Sequence, residues 1–107
     1  MKHSSILVSI LTPTWNRAFY IRRVWESLGS QTYKNFEWIV ADDGSTDDTE
    51  GVVRELSDNS DFPIVLIRAD LHVGKIFMDN KAVAQAKGEF ILWCDSDDYL
   101  KPGSASV

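Results

Sequence analysis

The sequence predicts an α/β fold, a mostly parallel sheet with flanking helices, and three observations carry that reading. Short apolar runs bounded by turn formers alternate with stretches of helical period along the chain, and such runs read as buried strands. Each pair of successive strands is separated by a helix, which implies right-handed crossovers and parallel strands. Two acidic clusters, Asp42-Asp43 and Asp95-Ser96-Asp97-Asp98, follow directly on apolar runs. In an open parallel sheet the loops beyond the carboxyl ends of the strands form the ligand crevice.

The elements follow in order. Ile6 to Leu11 is the first strand, expected to be broken at Pro13. Ile21, Val24, Trp25 and Leu28 recur at the spacing of one helix face, with Asn16 as N-cap and Gly29 near the stop. Phe36 to Ala41 is the second strand, after which Ser45 and Asp48 form a capping-box-like start to a helix bearing Val52, Val53 and Leu56. Pro63 opens the third strand, Ile64 to Ile67. Gly74 precedes a third helix whose Met78, Ala82, Val83 and Ala86 share a face, and Gly88 is expected to be a left-handed C-cap. Phe90 to Cys94 is the fourth strand.

Composition narrows the class. With 107 residues, 44% hydrophobic and 25% charged, the chain has ordinary globular usage and room for one domain. Its net charge of −5 argues against nucleic acid as a partner. One cysteine, Cys94, rules out an intrachain disulfide and agrees with a reducing compartment, so a cytoplasmic location is expected, peripheral at the membrane in a longer protein. The apolar stretch Ile6 to Leu11 leads straight into Thr12-Pro13-Thr14 and reads as a strand rather than a signal peptide.

Crowded carboxylates repel one another, and a hard divalent cation such as Mg2+ or Mn2+, bound through oxygen, relieves that repulsion. The two clusters therefore suggest a metal-linked phosphate. There is no GxGxxG after the first strand and no GxxxxGK[ST], which disfavours dinucleotide and P-loop enzymes.

Three segments together resemble the inverting family 2 glycosyltransferases of GT-A fold, which use nucleotide-diphosphate sugars. They are VSILTPTWNR (Val8 to Arg17), FEWIVADDGSTDDT (Phe36 to Thr49) and AKGEFILWCDSDD (Ala86 to Asp98), the last ending in a DxD metal motif. The resemblance covers nearly the whole chain and implies roles residue by residue. Asp43 would accept a hydrogen bond from the base, usually uracil, while Pro13 and Trp15 line base and ribose; Trp15 stands where the family more often has tyrosine. Asp97 would bind the Mn2+ or Mg2+ that bridges to the diphosphate, with Asp95 toward the ribose or the metal shell and Asp98 beside them. Lys75, in a loop similar to the family's Gly-Gly-Lys but with Val73 for one glycine, would add positive charge near the phosphates. A UDP-sugar is the donor so implied, and the sugar or glycan acceptor stays open.

Other conspicuous residues read as structural. Asp42 suits turn hydrogen bonds, Asp47 and Asp48 suit a helix N-terminus, and Trp25, Trp38 and Trp93 lie in helix or strand patterns as packing residues. His72 has no second His or Cys at metal spacing. The family also needs a general base for the acceptor hydroxyl, and no residue of this sequence can be named for it. Residues 1–107 are thus expected to be the nucleotide-sugar-binding half of a GT-A domain with the acceptor half absent, binding donor without transferring sugar and prone to self-association. Two other classes compete: a nucleotide-binding module without transfer activity, and a receiver-like signalling domain. The latter needs acids after strand one and a phospho-accepting Asp after strand three, where Pro13-Thr14-Trp15 and Arg68-Ala69-Asp70 stand instead.

Overall fold

The computed structural model describes residues 6–95. Its elements are β1 (Val8–Thr14), α1 (Ala18–Gly29), β2 (Phe36–Asp42), α2 (Thr49–Asp58), β3 (Ile64–Arg68), α3 (Lys75–Gln85) and β4 (Phe90–Trp93). The four strands form one sheet in the order β3-β2-β1-β4, and every pairing is parallel. The expected α/β architecture is present, with its carboxyl-terminal loops on one edge.

Side chains alternate across a strand, and here the alternation sorts the two cores. Even-numbered positions of β1 and β2 (Val8, Ile10, Phe36, Trp38, Val40) pack with Ile21, Val24 and Leu28 of α1 and Val53 and Leu56 of α2. Odd-numbered Leu11, Ile39 and Ala41 pack with Met78 and Ala82 of α3. Burial of each large aliphatic side chain contributes about 1.5–3 kcal/mol, so the pleat is held in register by a penalty at every position. Trp38, fully buried, satisfies its indole by donating to Thr12 Oγ1 at 2.8 Å.

Several expectations are corrected. The first strand runs three residues past Leu11, through Pro13 to Thr14, because the missing N–H faces a side where no rung is needed. Leu11 O accepts from Cys94 N on the β4 side, and Thr14 O from Asp43 N on the β2 side; Pro13, two residues from Leu11, faces β4 after that strand has ended at Trp93. Strand four is not a buried strand: Phe90, Ile91 and Trp93 are exposed, since α3 packs over β1 and β2 rather than over β4. For the same reason Val83 of α3 faces outward, and Trp93 is not a packing residue.

Gly88 is no left-handed cap, because α3 ends at Gln85 with Ala86 in the C-cap position and, among the described glycines, positive φ is confined to Gly44 and Gly74. It is needed for contact. A Cβ there would lie 2.6 Å from Ser9 Oγ and 2.7 Å from Leu7 O. Gly88 N donates to Ser9 Oγ, Ser9 Oγ donates to Glu37 Oε2, and Lys87 N donates to the same carboxylate oxygen, at 2.7–2.8 Å. This buried relay ties the entry to β4 onto β1 and β2. Gly88→Ala should therefore destabilise the fold by about 1–3 kcal/mol through overpacking, read as a lower midpoint in urea; an unchanged midpoint would contradict the close approach.

Candidate functional site

Because the pleat alternates, Asp42 and Asp43 leave β2 in opposite directions. Asp42 is even-numbered and turns toward the α1/α2 side, where it is fully buried. Its Oδ1 accepts from both the hydroxyl and the amide of Ser45, and Arg68, its register partner on β3, places Nε 3.6 Å from Oδ2. Burial pushes the Asp42 carboxyl above its ordinary range, against the lowering effects of the Ser45 bonds and Arg68. The expected turn role for Asp42 holds.

Ser45 does not begin a capping box, and Asn16 does not cap α1, whose N-cap position is Arg17. Their side chains are used between loops. Asn16 N donates to Ser45 Oγ at 2.8 Å, and Asn16 Oδ1 accepts from the amides of Thr46 at 2.8 Å and Asp47 at 3.2 Å. Asn16 adopts φ 54°, a left-handed conformation that asparagine tolerates better than most residues. Asp47 then serves two helix starts at once, accepting from Ala18 N and from Thr49 N, each at 3.1 Å. Burial pushes its pKa upward, but the Thr49 hydroxyl and the two amides outweigh burial and hold it below 3.8. The β1–α1 and β2–α2 loops thus form one unit.

Asp43 turns to the α3 side. Its carboxylate accepts from the amides of Val73 at 2.6 Å and Gly74 at 2.9 Å, and its Oδ2 lies 3.0 Å from His72 Nδ1. Only the amide of Val73 is used, so valine serves where a glycine was expected; of these two residues it is Gly74 that has positive φ, at 107°. The loop reaches Asp43 because Gly44 leaves room, since a Cβ at Gly44 would stand 2.4 Å from the Leu71 carbonyl carbon.

A cleft of about 420 Å3 opens here, lined by Pro13, Trp15, Asp43, Lys75 and Asp95 together with Arg17, His72 and Met78. Its size is that of small-molecule sites. It lies where β1 and β4 neighbour each other while the chain crosses from β1 to β2 on the other side, the switch point at which open sheets bind ligands. Trp15 presents a half-exposed ring, 4.6 Å from the His72 ring and tilted 42° to it. Lys75 Nζ pairs with Asp79 at 2.6 Å and stands 5.6 Å from the centre of the Trp93 ring.

Five of the six expected site residues therefore meet in one cleft, and the sixth, Asp97, lies outside the described residues together with Asp98. His72 and Arg17 were missed as cleft residues. Arg17 could have been found from its place in the first carboxyl-end loop; His72 carried no motif signal, and only the fold of its loop onto Asp43 reveals it. Among the described residues no three His, Cys, Asp or Glu converge as a closed metal cage. An open site is what Mg2+ uses with phosphates, one or two carboxylates and the rest substrate oxygens and water. Asp95 at the cleft supplies such an oxygen donor.

The arrangement defines an α/β protein with an acidic, aromatic and cationic cleft at the switch point of a parallel sheet. The sequence profile described as "Glycosyl transferase family 2" matches residues 9–106, and the chain belongs to that family. It is 34% identical over 100 residues to a GalNAc(5)-diNAcBac-PP-undecaprenol beta-1,3-glucosyltransferase of Campylobacter jejuni, covering 94% of this chain and 32% of that protein. It is 40% identical over 105 residues to a chondroitin synthase of Pasteurella multocida, covering 98% of this chain and 11% of that one. The chain spans about a third or less of these relatives. Among solved structures, S. aureus TarS 1-349 in complex with UDP superposes with a TM-score of 0.83 at 33% identity, covering 92% of this chain and 29% of TarS. The mannosyltransferase PcManGT of Pyrobaculum calidifontis, in complex with GDP-Man and Mn2+, superposes at 0.80 with 30% identity, covering 84% of this chain and 27% of its own. The fold is that of GT-A glycosyltransferase domains.

The double role of Asp47 gives a pH-dependent expectation. A carboxylate whose folded pKa is depressed contributes stability that is fully present above its unfolded value, 3.8, and that is lost as pH falls through the lower folded value. Asp47→Asn should cost about 0.5–1 kcal/mol at pH 7, and the gap to the native protein should close on acidification below 3.8 in melts across that range. A gap that persists unchanged at pH 2 would contradict the assignment.

Proposed function

We propose that the protein transfers a sugar from a nucleotide-diphosphate sugar, with UDP as the nucleotide, to an acceptor hydroxyl, with metal assistance and inversion at the anomeric carbon. The observation that carries this reading is the convergence of Asp43, Trp15, Pro13, Lys75 and Asp95 on one cleft. Family membership supports the reaction class, and the neighbours solved with UDP and with GDP-Man support a nucleotide sugar as donor.

Within this reading the chain's part is to hold and orient the donor. The exposed face of Trp15 offers a stacking platform to the base, and Asp43, its carboxylate fixed by two amides, accepts the N3–H of uracil. Cytosine has an unprotonated N3 there and would set acceptor against acceptor. Lys75 and Arg17, the cations of the cleft, face the diphosphate. A divalent cation, Mn2+ or Mg2+, held by Asp95 and Asp97, would neutralise charge on the departing nucleoside diphosphate. Holding the donor rigidly is itself a large part of catalysis, since orientation removes much of the entropic barrier to in-line attack.

Two measurements test the reading. With a net charge of −5, the protein should repel a free diphosphate, so Asp97→Asn should abolish the Mn2+-dependent part of UDP affinity in calorimetric titration; metal dependence that survives would remove Asp97 from the site. Asp43→Ala should narrow the preference for UDP over CDP by about 1–3 kcal/mol, the cost of an unpaired buried polar group. A native protein with no preference among bases would overturn that role.

A further inference from the structure

We infer that Asp79 is a positioning residue that holds the ammonium of Lys75 back from the cleft until a diphosphate competes for it; this rests on the proposed role of the cleft as a nucleotide site. The starting point is where Lys75 stands. It is the first residue of α3, directly after the N-cap Gly74, and the first turn carries no acidic residue. The positive end of the helix macrodipole disfavours a cation there. Local helix electrostatics therefore argue against a lysine at this position, and conflicts with local rules concentrate at functional sites.

Asp79, one turn further on, answers the misplaced charge. Lys75 Nζ donates to Asp79 Oδ2 at 2.6 Å and lies 5.6 Å from the centre of the Trp93 ring. The first is a charge-assisted hydrogen bond and the second a cation–π contact. Lys75 lines the cleft, whereas neither Asp79 nor Trp93 does, so both groups that engage the ammonium draw it away from the space a ligand would fill. Asp79 is itself suited to hold on. Its Oδ1 is buried and has no hydrogen-bond partner among the described residues, which leaves its carboxylate dependent on the lysine.

A flexible four-carbon stem lets an ammonium change partners without moving the helix. A diphosphate in the cleft competes with Asp79 for Nζ, and it is bound more weakly by whatever the Lys75–Asp79 pair is worth. The Lys75 side chain is 65% exposed and that of Asp79 21%, so the pair is of the weak, solvent-screened kind. The hold is readily broken and readily restored. Its consequence is a limit on how firmly the cleft retains a nucleoside diphosphate, the leaving group of the proposed reaction, set by a residue outside the cleft lining.

The experiment measures dissociation constants for UDP, by calorimetry with Mn2+ at about 0.15 M salt, and for uridine, by metal-free NMR titration. The proteins compared are the native chain, Asp79→Asn, Asp79→Ala, Lys75→Ala and the double variant Lys75→Ala/Asp79→Ala. Uridine lacks the phosphates and reports on the base site and the fold alone. Both single Asp79 variants are expected to bind UDP about threefold more tightly than the native protein, the worth of an exposed ion pair, with uridine affinity unchanged. In the Lys75→Ala background the Asp79 substitution is expected to leave UDP affinity unchanged. The same gain with and without Lys75 would reduce Asp79 to a general repulsive charge and overturn the inference, as would unchanged or weaker UDP binding in the single Asp79 variants. A change in uridine affinity equal to that in UDP would overturn it too, by making the pair a support of the fold. Native protein that binds neither uridine nor UDP would overturn the proposed function together with this inference, whereas the other outcomes leave the donor site intact.

Discussion

The pleat of β2 is the constraint on which the site depends. Two carboxylates adjacent in the chain would repel if they shared a pocket, and alternation removes that difficulty by sending them to opposite faces of the sheet. The register is enforced below them by Trp38 and Val40 on one face and Ile39 and Ala41 on the other, all buried. A slip by one residue would exchange every one of these side chains between the two cores. It would also exchange Asp42 and Asp43. The hydrophobic order of the strand and the chemical order of the acids are therefore the same fact.

What Asp42 does on its side explains why the loops above the sheet have a fixed shape. Its bonds to Ser45, the bond of Ser45 to Asn16, and the amides gathered by Asn16 and Asp47 form a chain from β2 to the starts of α1 and α2. Trp15, next to Asn16, is half-exposed with its ring 4.6 Å from that of His72, and the backbone that carries it is fixed by that chain. The electrostatics divide in the same way. Asp42 faces Arg68 within the fold, while the cleft sets Arg17 and Lys75 against Asp43 and Asp95, so its two cations meet two carboxylates within an acidic protein.

The sheet and its helices were legible in the sequence because period and turn chemistry are local properties. Their parallel pairing was legible as well, since a helix between strands leaves little choice. The errors came where a residue's partner is distant. Asn16 and Ser45 have the right identities for caps, yet each is used by a loop some thirty positions away. Gly88 has the right place for a C-cap, but its glycine is required by Ser9 and Leu7 across the sheet. Phe90 to Trp93 looked buried because an apolar run does not say whether anything covers it. Pro13, Trp15, Asp43, Lys75 and Asp95, which line the cleft, were singled out through motif resemblance, whereas His72 was not, because its contact with Asp43 exists only once the loop has folded.

Pro13 gives the cleft a property that depends on covalent structure alone. A secondary amide at that position would offer a donor to the chain leaving β4, and the ladder between β1 and β4 could zip closed by another rung. The pyrrolidine nitrogen has no proton to give. The two strand ends are consequently free to diverge above Leu11 and Trp93, and the notch between them exists before any ligand arrives. A molecule entering it does not have to compete with backbone pairing for the space, so the cleft behaves as a standing gap in the weave of the sheet, kept open by the absence of a single hydrogen atom.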